Sequence, residues 1–433
     1  MVFCYARFLF ESLKQELAPS ADRKGKAVRG ARTVLVVLLG LSGGSACAAS
    51  AVDARADSLR RASVAMQRQV IWDLWAQMTR SSDRTGLPAF EHWHGEEDVF
   101  SRNEDPARPR GIRGFRRSSA ALDAGAPVIT YTLYNDAAYR HIRGHQLYLR
   151  STLERLRRTG ESDKEFPADR TVPSFPQDSL VVKTAWWPVA AGGMTPLPVW
   201  DPEFNPALRG GNGYLSWKRV LRIVSAQQRG ASLQEVEFAG RHFSMTRDVP
   251  LDSLYHVTLD RSLAARLSKD ANAAKMSAIV LGRALREGDS LVLVGVNLAS
   301  RVIEEWAWAS LWWHDAPEAG PFATGRPPAV TGWRRAFLMD AAFDSNRPAA
   351  AGGSPHVCFN PWLEARFPDG GQGGGTVSNC MTCHRRAAYP ATAFLPVTRG
   401  NPDSGGDPAF AAGLVRTSFL WALAEHGAAD PGR

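Results

Sequence analysis

The chain is poor in cysteine, with five in 433 residues. This excludes the small disulfide-stapled scaffolds, which are short and dense in cysteine. Cys4 and Cys47 lie in the first 48 residues, which leaves Cys358, Cys380 and Cys383 in the rest of the chain. If Cys380 and Cys383 serve one function together, Cys358 has no cysteine partner. We therefore expect no structural disulfide. Cys358 is then best interpreted as a small, buried, apolar side chain.

The sequence also lacks an apolar run of the roughly 20 residues that a membrane-spanning helix requires. Its N-terminal apolar run, Thr33–Leu41, is shorter and follows the basic stretch Lys24–Arg32. Small residues follow it over Gly43–Ser50. A basic stretch, an apolar run and then small residues are the parts of a secretory signal in their usual order. We therefore predict that residues 1–48 are a signal peptide and that the mature protein is periplasmic or otherwise exported.

Two alternatives concern this N-terminal segment. Cys47 could be retained as a lipid-anchored N-terminus, but Gly44 stands where a larger aliphatic residue is usual, so cleavage after Ala48 is preferred. The charged stretch before the apolar run is unusually long, which suggests that translation starts later, near Val28. In either case no transmembrane span is expected after signal cleavage.

Basic residues exceed acidic ones only mildly. The formal net charge is +9, and removing residues 1–48, with seven basic and three acidic side chains, lowers it to +5. No long basic run with interleaved aromatic residues occurs, so the sequence gives no support for nucleic-acid binding. A mildly basic surface suits an acidic redox partner protein or anionic lipid, or simply keeps the protein soluble.

The most informative motif is the stretch Cys380–His384, which reads Cys-Met-Thr-Cys-His. This is the attachment signature of a c-type haem, in which two thiols form thioethers and the histidine binds the iron from the proximal side. At this content of Cys and His, about 0.001 chance copies are expected. Half a zinc site and a redox dithiol are the alternatives. A zinc site would need a second pair of ligands at similar spacing, and no other C-x-x-C exists. A redox dithiol should follow a strand in a βαβ pattern, whereas this motif follows a Gly-rich loop.

The second axial ligand of such a haem is not obvious, because no methionine follows His384. His314 is the preferred candidate, since it ends a tryptophan-rich stretch of the kind on which a porphyrin edge packs. Met339 is the next candidate, and an open or water-bound iron is an equal alternative to His314. The remaining histidines that we consider are His92, His94, His356 and His426.

His141 and His145 form a different kind of histidine pair. They stand four residues apart on a predicted helix, a spacing that can bind a metal ion. Their arginine-rich surroundings and the lack of an intervening glutamate favour a solvated helix face instead.

Hydrophobic patterning predicts an α+β protein in three regions after the signal peptide. Residues 49–170 are expected to be helical, with helices over 51–80 and Ala137–Arg158 and a surface loop over 101–130. Residues 171–315 are expected to form a β-rich domain, an antiparallel sandwich- or barrel-like sheet interrupted by a helix over Ala264–Glu287. Its predicted strands include Ser179–Trp187 and Arg301–Trp313. Residues 316–433 read as a loop-rich haem segment packed on that sheet, with a short helix over Ala409–Glu425.

The motif makes the chain resemble the c-type cytochromes, although it stands near the C-terminus instead of near the N-terminus. Two longer phrases are similar to those of large exported bacterial cytochrome-c-like proteins of unsettled function: Asn360–Arg366 leading into Ser378–His384, and Glu305–His314. They cover about a tenth of the chain. The resemblance implies fold kinship and one covalent haem c, carried by Cys380, Cys383 and His384.

These observations predict an exported mono-haem protein that transfers single electrons to or from a redox partner protein. A shuttle needs only about 100 residues, so the length keeps a second hypothesis open. In that hypothesis the protein is a haem enzyme, peroxidase- or oxidase-like, with an open iron under the β-rich region. A haem-based sensor or a structural haem protein is the third hypothesis.

Overall fold

The fold is taken from a computed structural model of the chain. It describes residues 58–103, 107–118, 126–164, 166–201, 213–224, 234–318, 320–343, 358–364, 379–391 and 413–425. The predicted signal peptide 1–48, its lipid-anchor alternative at Cys47, and the candidate ligands His356 and His426 lie outside these residues.

The helices are short, and several begin at a polar side chain that caps the first turn. Ser63, Asn135, Asp260 and Asp270 each accept a hydrogen bond from the backbone N–H three residues further on, which satisfies a donor that the helix itself cannot pair. The helices are α1 (Val64–Met78), α2 (Glu96–Phe100), α3 (Asp136–Gly144), α4 (Arg150–Thr159), α5 (Arg261–Lys269), α6 (Ala271–Leu281), α7 (Cys380–His384) and α8 (Trp421–Glu425).

The strands are distributed along most of the described chain. They are β1 (His94–Gly95), β2 (Ile129–Tyr134), β3 (Arg170–Thr171), β4 (Leu180–Val189), β5 (Met194–Val199), β6 (Arg219–Val224), β7 (Gln234–Phe238), β8 (Arg241–Thr246), β9 (Asp248–Pro250), β10 (His256–Thr258), β11 (Ser290–Ser300), β12 (Ala307–Trp313), β13 (Phe337–Ala342), β14 (Ala388–Tyr389) and β15 (Val415–Arg416).

One seven-stranded sheet dominates the fold. Its strand order is β1-β2-β4-β11-β12-β13, with β10 pairing with β11, and each pair is antiparallel. The long strands β4 and β11 are its centre, and almost all their side chains are buried. Smaller sheets join β14-β15-β3, β5-β6-β9 and β7-β8. The α+β class with a β-rich core is confirmed.

The sheet is covered on both faces by segments from opposite ends of the chain. Trp75 of α1 packs on Phe337 of β13, with ring centroids 4.9 Å apart. On the other face, Trp362 packs on Trp187 of β4 at 5.4 Å, and the thiol of Cys380 lies 3.8 Å from the hydroxyl of Ser310 of β12. We call the face that carries Phe337 the helix face, and the face that carries Trp187 and Ser310 the C-terminal face. Successive residues of a strand point to opposite faces, so each strand contributes to both.

The sheet crosses the region boundaries that the sequence predicted. The helical region 49–170 contributes β1 and β2, and the loop-rich region 316–433 contributes β13. Strand β2 begins within the predicted surface loop 101–130, because its sequence, Ile-Thr-Tyr-Thr-Leu-Tyr, is β-branched and aromatic and so favours a strand. The predicted strand Arg301–Trp313 is shorter, because residues 301–305 form a turn and Trp306 has a φ of 59°.

Three predicted helices were wrong in length. The helix Ala137–Arg158 is two helices, α3 and α4, because Gln146 between them adopts a left-handed φ of 54°. The helix Ala264–Glu287 is also two, because Asp270 is extended, caps α6 and so ends α5, and α6 ends at Gly282 with a φ of 66°. Within the described part of Ala409–Glu425, only α8 is helical, and β15 precedes it.

Among the residues that the structure describes, no helix is both long and apolar enough to cross a lipid bilayer.

Candidate haem-attachment site

The five residues of the motif form one short helix, α7, directly on the sheet. Asn379 begins the helix, and its side-chain oxygen accepts a hydrogen bond of 2.9 Å from the backbone N–H of Met381. Residues three and four apart lie on the same side of a helix. Cys380, Cys383 and His384 therefore share one face of α7, as attachment of both thiols and the imidazole to one porphyrin requires.

The imidazole of His384 is fixed by a hydrogen bond and is neutral. Its Nδ1 lies 2.8 Å from the carbonyl oxygen of Phe419. Because a carbonyl can only accept, Nδ1 carries the proton and Nε2 keeps its lone pair. Burial lowers the pKa of His384 to about 4, so the ring is neutral at physiological pH. The indole of Trp308 lies against it, with ring centroids 4.0 Å apart.

The two thiols of the motif differ in their surroundings. Cys380 is buried, and its Sγ lies 3.3 Å from the carbonyl oxygen of Cys358 and 4.0 Å from the Sγ of Cys358. Cys383 is only half-buried. Desolvation first, and then the negative charges of Glu364 and Cys380, raise the pKa of Cys383 to about 12. The Cys383 thiol is therefore protonated near neutral pH.

A row of polar side chains crosses the sheet beneath α7. Directly opposite residues on antiparallel strands point to the same face, and the register aligns one residue from each of five adjacent strands. We call these residues the polar row: Thr132, Lys183, Asn297, Ser310 and Asp340.

The polar row is connected to α7 by hydrogen bonds and contacts. The Ser310 hydroxyl donates to the Asn297 side-chain oxygen at 3.2 Å and lies 3.8 Å from the Cys380 thiol. The amide of Asn297 donates to the carboxyl of Glu364, which also accepts from the backbone N–H of Asn360. A buried polar cluster thus links the central strands to the motif.

The segment 358–364 holds Glu364 in place. The Asn360 side-chain amide donates to the carbonyl oxygens of Val296 and Leu311, at 3.1 and 3.0 Å, and so bridges β11 and β12. Its oxygen accepts a hydrogen bond of 3.0 Å from the backbone N–H of Trp362. Gly295 permits this close approach, because a Cβ there would lie 3.0 Å from the Asn360 oxygen.

Glu364 is an ionisable group of this cluster whose pKa is raised. Desolvation raises its pKa to about 7, although hydrogen bonds from Asn360 and Asn297 and the positive charge of Lys183 act in the opposite direction. The carboxyl is therefore close to half-ionised at neutral pH, beside the helix that carries the motif.

His314, the preferred distal ligand, lies elsewhere. Its Nε2 is 3.0 Å from the carboxylate of Asp201, and its Nδ1 accepts a hydrogen bond of 3.0 Å from the backbone N–H of Ala316. A strand advances about 3.3 Å per residue, so His314 is roughly 20 Å along the chain from Trp308, which contacts His384. Two axial ligands of one iron lie within a few ångströms of each other. The structure therefore does not place His314 and His384 as two ligands of one iron.

His314 and Asp201 instead belong to a partly buried cluster of hydrogen bonds and ion pairs around Arg219. Arg219 donates to both Asp201 and Asp315, at 2.6 and 2.8 Å. Burial on its own would raise the pKa of Asp201, but the hydrogen bonds from His314 and Arg219 lower it to about 2. The cluster fastens the end of β12 to the chain around residue 201.

Met339, the second candidate, points to the helix face. It is fully buried and lies opposite Leu311 in the register, whereas the adjacent Asp340 lies opposite Ser310 on the C-terminal face. Because α7 packs on the C-terminal face, the sheet separates the Met339 side chain from His384.

Among the described residues, His92, His94 and His141 also have partners. In His94, Nε2 faces Asp136 at 3.0 Å and Nδ1 faces Arg110 at 2.8 Å. His92 contacts the hydroxyl of Thr85. His141 is buried against the carbonyl oxygen of Pro173, so its predicted solvated face is wrong, while its neighbour His145 is exposed.

The sequence does carry a signal for the polar row. Asn297, Ser310 and Asp340 are each an isolated polar residue within an apolar strand. Glu364 stands in one of the two phrases on which the resemblance rests, and Ser310 stands in the other. What the patterning could not show is that strands distant in sequence place these residues in one line.

Comparison with protein-family models, with curated proteins and with solved structures finds no match to this chain. Within the described ranges, no group of three or more His, Cys, Asp or Glu side chains is arranged to hold a metal ion. A haem iron differs from such a site, because the porphyrin supplies four of its ligands and the protein needs to supply only one or two.

Proposed function

We propose that the protein is an exported, mono-haem, c-type cytochrome-like protein that transfers single electrons. Cys380 and Cys383 would hold the haem through thioethers to its two vinyl groups, and His384 would bind its iron. The observation that carries this proposal is the hydrogen bond from His384 Nδ1 to Phe419, because it leaves Nε2 as an oriented, unprotonated donor for iron. The haem, when bound, supplies the one-electron couple.

The residues around α7 have distinct roles in this proposal. The carbonyl of Phe419 fixes the orientation of His384, and the indole of Trp308 forms an apolar wall beside it. Glu364 and Lys183 bring charge close to the cofactor segment, and buried charge is one of the means by which a protein sets a haem potential.

The location and partner of the protein follow from the proposal. Haem is attached to c-type proteins after export, which agrees with the predicted signal peptide 1–48 and cleavage after Ala48. The partner is then a redox protein outside the cytoplasm, and the mature charge of about +5 favours one with an acidic surface. A lipid anchor at Cys47 would restrict the protein to the membrane surface without altering the site.

Replacing both thiols tests the proposal. The double variant Cys380→Ala/Cys383→Ala should lose covalent haem on a denaturing gel stained for haem peroxidase activity, while wild type retains it. Cys358→Ser is the matched control, because it removes the third cysteine of the same cluster and should keep covalent haem. Undiminished covalent haem in the double variant would end the cytochrome proposal.

The positions of His314 and Met339 favour a second candidate, a haem enzyme with an open iron. Neither of the two preferred distal ligands is near His384. A high-spin optical spectrum and carbon monoxide binding by the reduced protein would support this candidate. A low-spin spectrum without carbon monoxide binding would instead support the electron carrier.

A further inference from the structure

Cys358 is a third thiol of the attachment site. Its Sγ lies 4.0 Å from the Sγ of Cys380, and both side chains are buried against the C-terminal face of the sheet. The Cys380 thiol donates to the carbonyl oxygen of Cys358 at 3.3 Å, so the two residues contact each other through side chain and backbone.

The backbone geometry suits a covalent bond between them. Cys358 forms a parallel bridge with Asn379, the residue before Cys380. Paired strands lie about 4.8 Å apart and advance about 3.3 Å per residue, which places the Cα atoms of Cys358 and Cys380 roughly 6 Å apart. This lies within the range of about 4.4–6.8 Å that disulfides adopt. A rotation of the two side chains is then sufficient to bring the sulfur atoms together.

We propose that Cys358 and Cys380 form a reversible disulfide in the haem-free protein, with Cys383 left as a thiol. The inference deepens the proposed function, and its consequence for haem rests on that function. A Cys380 sulfur bonded to Cys358 cannot form a thioether, so the bond blocks half of the attachment motif. Reduction by an extracytoplasmic dithiol restores the motif.

The bond forms by thiol–disulfide exchange with a small disulfide such as oxidised glutathione. Cys383, the most exposed of the three thiols, loses its proton to solvent and attacks first as the thiolate, which gives a mixed disulfide and releases one reduced thiol. Cys380 then displaces the second reduced thiol and bonds to Cys383. Cys358 finally attacks Cys380 and frees the Cys383 thiol. In total, one small disulfide is reduced to two thiols, and two protein thiols are oxidised to one disulfide.

Peptide mapping of the full chain, prepared without haem, tests the inference. The protein is equilibrated in buffers of reduced and oxidised glutathione, alkylated, and digested with trypsin, which cleaves after Arg366 and so separates Cys358 from the other two. We expect a cross-link between the peptide of Cys358 and that of Cys380, with the alkyl group on Cys383. A cross-link confined to Cys380 and Cys383, or alkylation of all three of Cys358, Cys380 and Cys383 in the most oxidising buffer, would overturn the inference.

Two single variants sharpen the test. Cys358→Ser should abolish the cross-link between peptides, so that any oxidation joins Cys380 to Cys383. Cys383→Ser should form the same cross-link at equilibrium but at least severalfold more slowly, because the exposed entry thiol is gone. An equally fast reaction in Cys383→Ser would contradict the order of steps and show direct oxidation of the buried pair.

Haem content of the exported protein separates this inference from the proposed function. If the cross-link forms but the exported wild type never acquires haem, the thiol pair stands and the cytochrome proposal fails. If haem attaches but no cross-link forms, the inference alone fails. If both hold, Cys358→Ser should acquire at least as much haem as wild type, and severalfold more when dithiol reductant is scarce. Less haem in Cys358→Ser would show that Cys358 does not compete for Cys380.

Discussion

At the scale of single residues, Glu364 shows how burial changes the pKa of a carboxyl beside the motif helix. Its carboxyl lies under the motif helix and accepts hydrogen bonds from Asn297 and Asn360. Those hydrogen bonds favour the ionised form, but desolvation is the larger effect, and the pKa rises to about 7. The group therefore changes charge near physiological pH, at a position where its charge acts on the neighbouring Cys383.

Glu364 should make the protein less stable as the pH rises. The folded-state pKa is about 7 against an ordinary value of 4.5, so the native state holds a proton that the unfolded state has lost between these values. The free energy of unfolding should fall from about pH 5 and level off above pH 7, by on the order of 3 kcal/mol at most. Denaturant titrations should show this loss in wild type, and Glu364→Gln should remove most of it. An unchanged pH profile in the variant would contradict this assignment.

His314 should prove to be a structural residue. His314→Ala removes a buried hydrogen bond to Asp201 and should lower the free energy of unfolding by about 1–3 kcal/mol. The haem spectrum should stay the same, because His314 is not beside His384. Thermal unfolding and an optical spectrum of the same sample measure both effects. A shift from low-spin to high-spin bands, or newly acquired carbon monoxide binding, would show that His314 binds the iron after all.

At the scale of elements, the segment 358–364 packs on the sheet beside the motif. It contacts the sheet at Gly295, where the nearest atoms to an added Cβ are Asn360 Oδ1 at 3.0 Å, Trp362 Cβ at 3.2 Å and Ala185 Cβ at 3.4 Å. Two of these neighbours belong to the segment itself. A side chain at position 295 would therefore push the segment, and Glu364 with it, away from β11.

A substitution at Gly295 tests this attachment. Gly295→Val should lower the free energy of unfolding by about 1–3 kcal/mol, because overpacking forces the neighbouring side chains from their positions. It should also reduce covalent haem in the exported protein. Gly192→Ala is the matched control, since nothing lies within 4 Å of a Cβ at that position. Equal stability of the two variants in thermal unfolding would contradict the close packing described here.

The elements also show what the sequence could predict. The α+β class, the central strands β4, β11 and β12 and the position of the motif follow from apolar runs and one specific spacing. Helix ends were harder to predict, because Gln146 and Asp270 end helices through backbone conformations that hydrophobic periodicity does not indicate. Strand β13 was missed because it lies among proline-rich loops.

At the scale of the whole molecule, the chain builds one sheet from all of its regions after the predicted signal peptide. The helix α1 packs on the helix face, and the segment 358–364 and the motif helix α7 pack on the C-terminal face. The polar row is a product of this topology, since its five residues come from five strands that are up to about 200 positions apart in the chain. For the same reason, the sequence identifies Cys380, Cys383 and His384 by their spacing, but it offers only residue type as a basis for choosing a distal ligand.

Intact-mass and fragment mass spectrometry of the exported, purified chain tests whether the protein carries a covalent haem. We expect one haem added to the mature chain, with fragments that place it on the peptide containing Cys380 and Cys383. Cys358 should then be a free thiol open to alkylation after denaturation. A folded, exported chain that carries no haem and has all three of these cysteines open to alkylation after reduction would contradict the account.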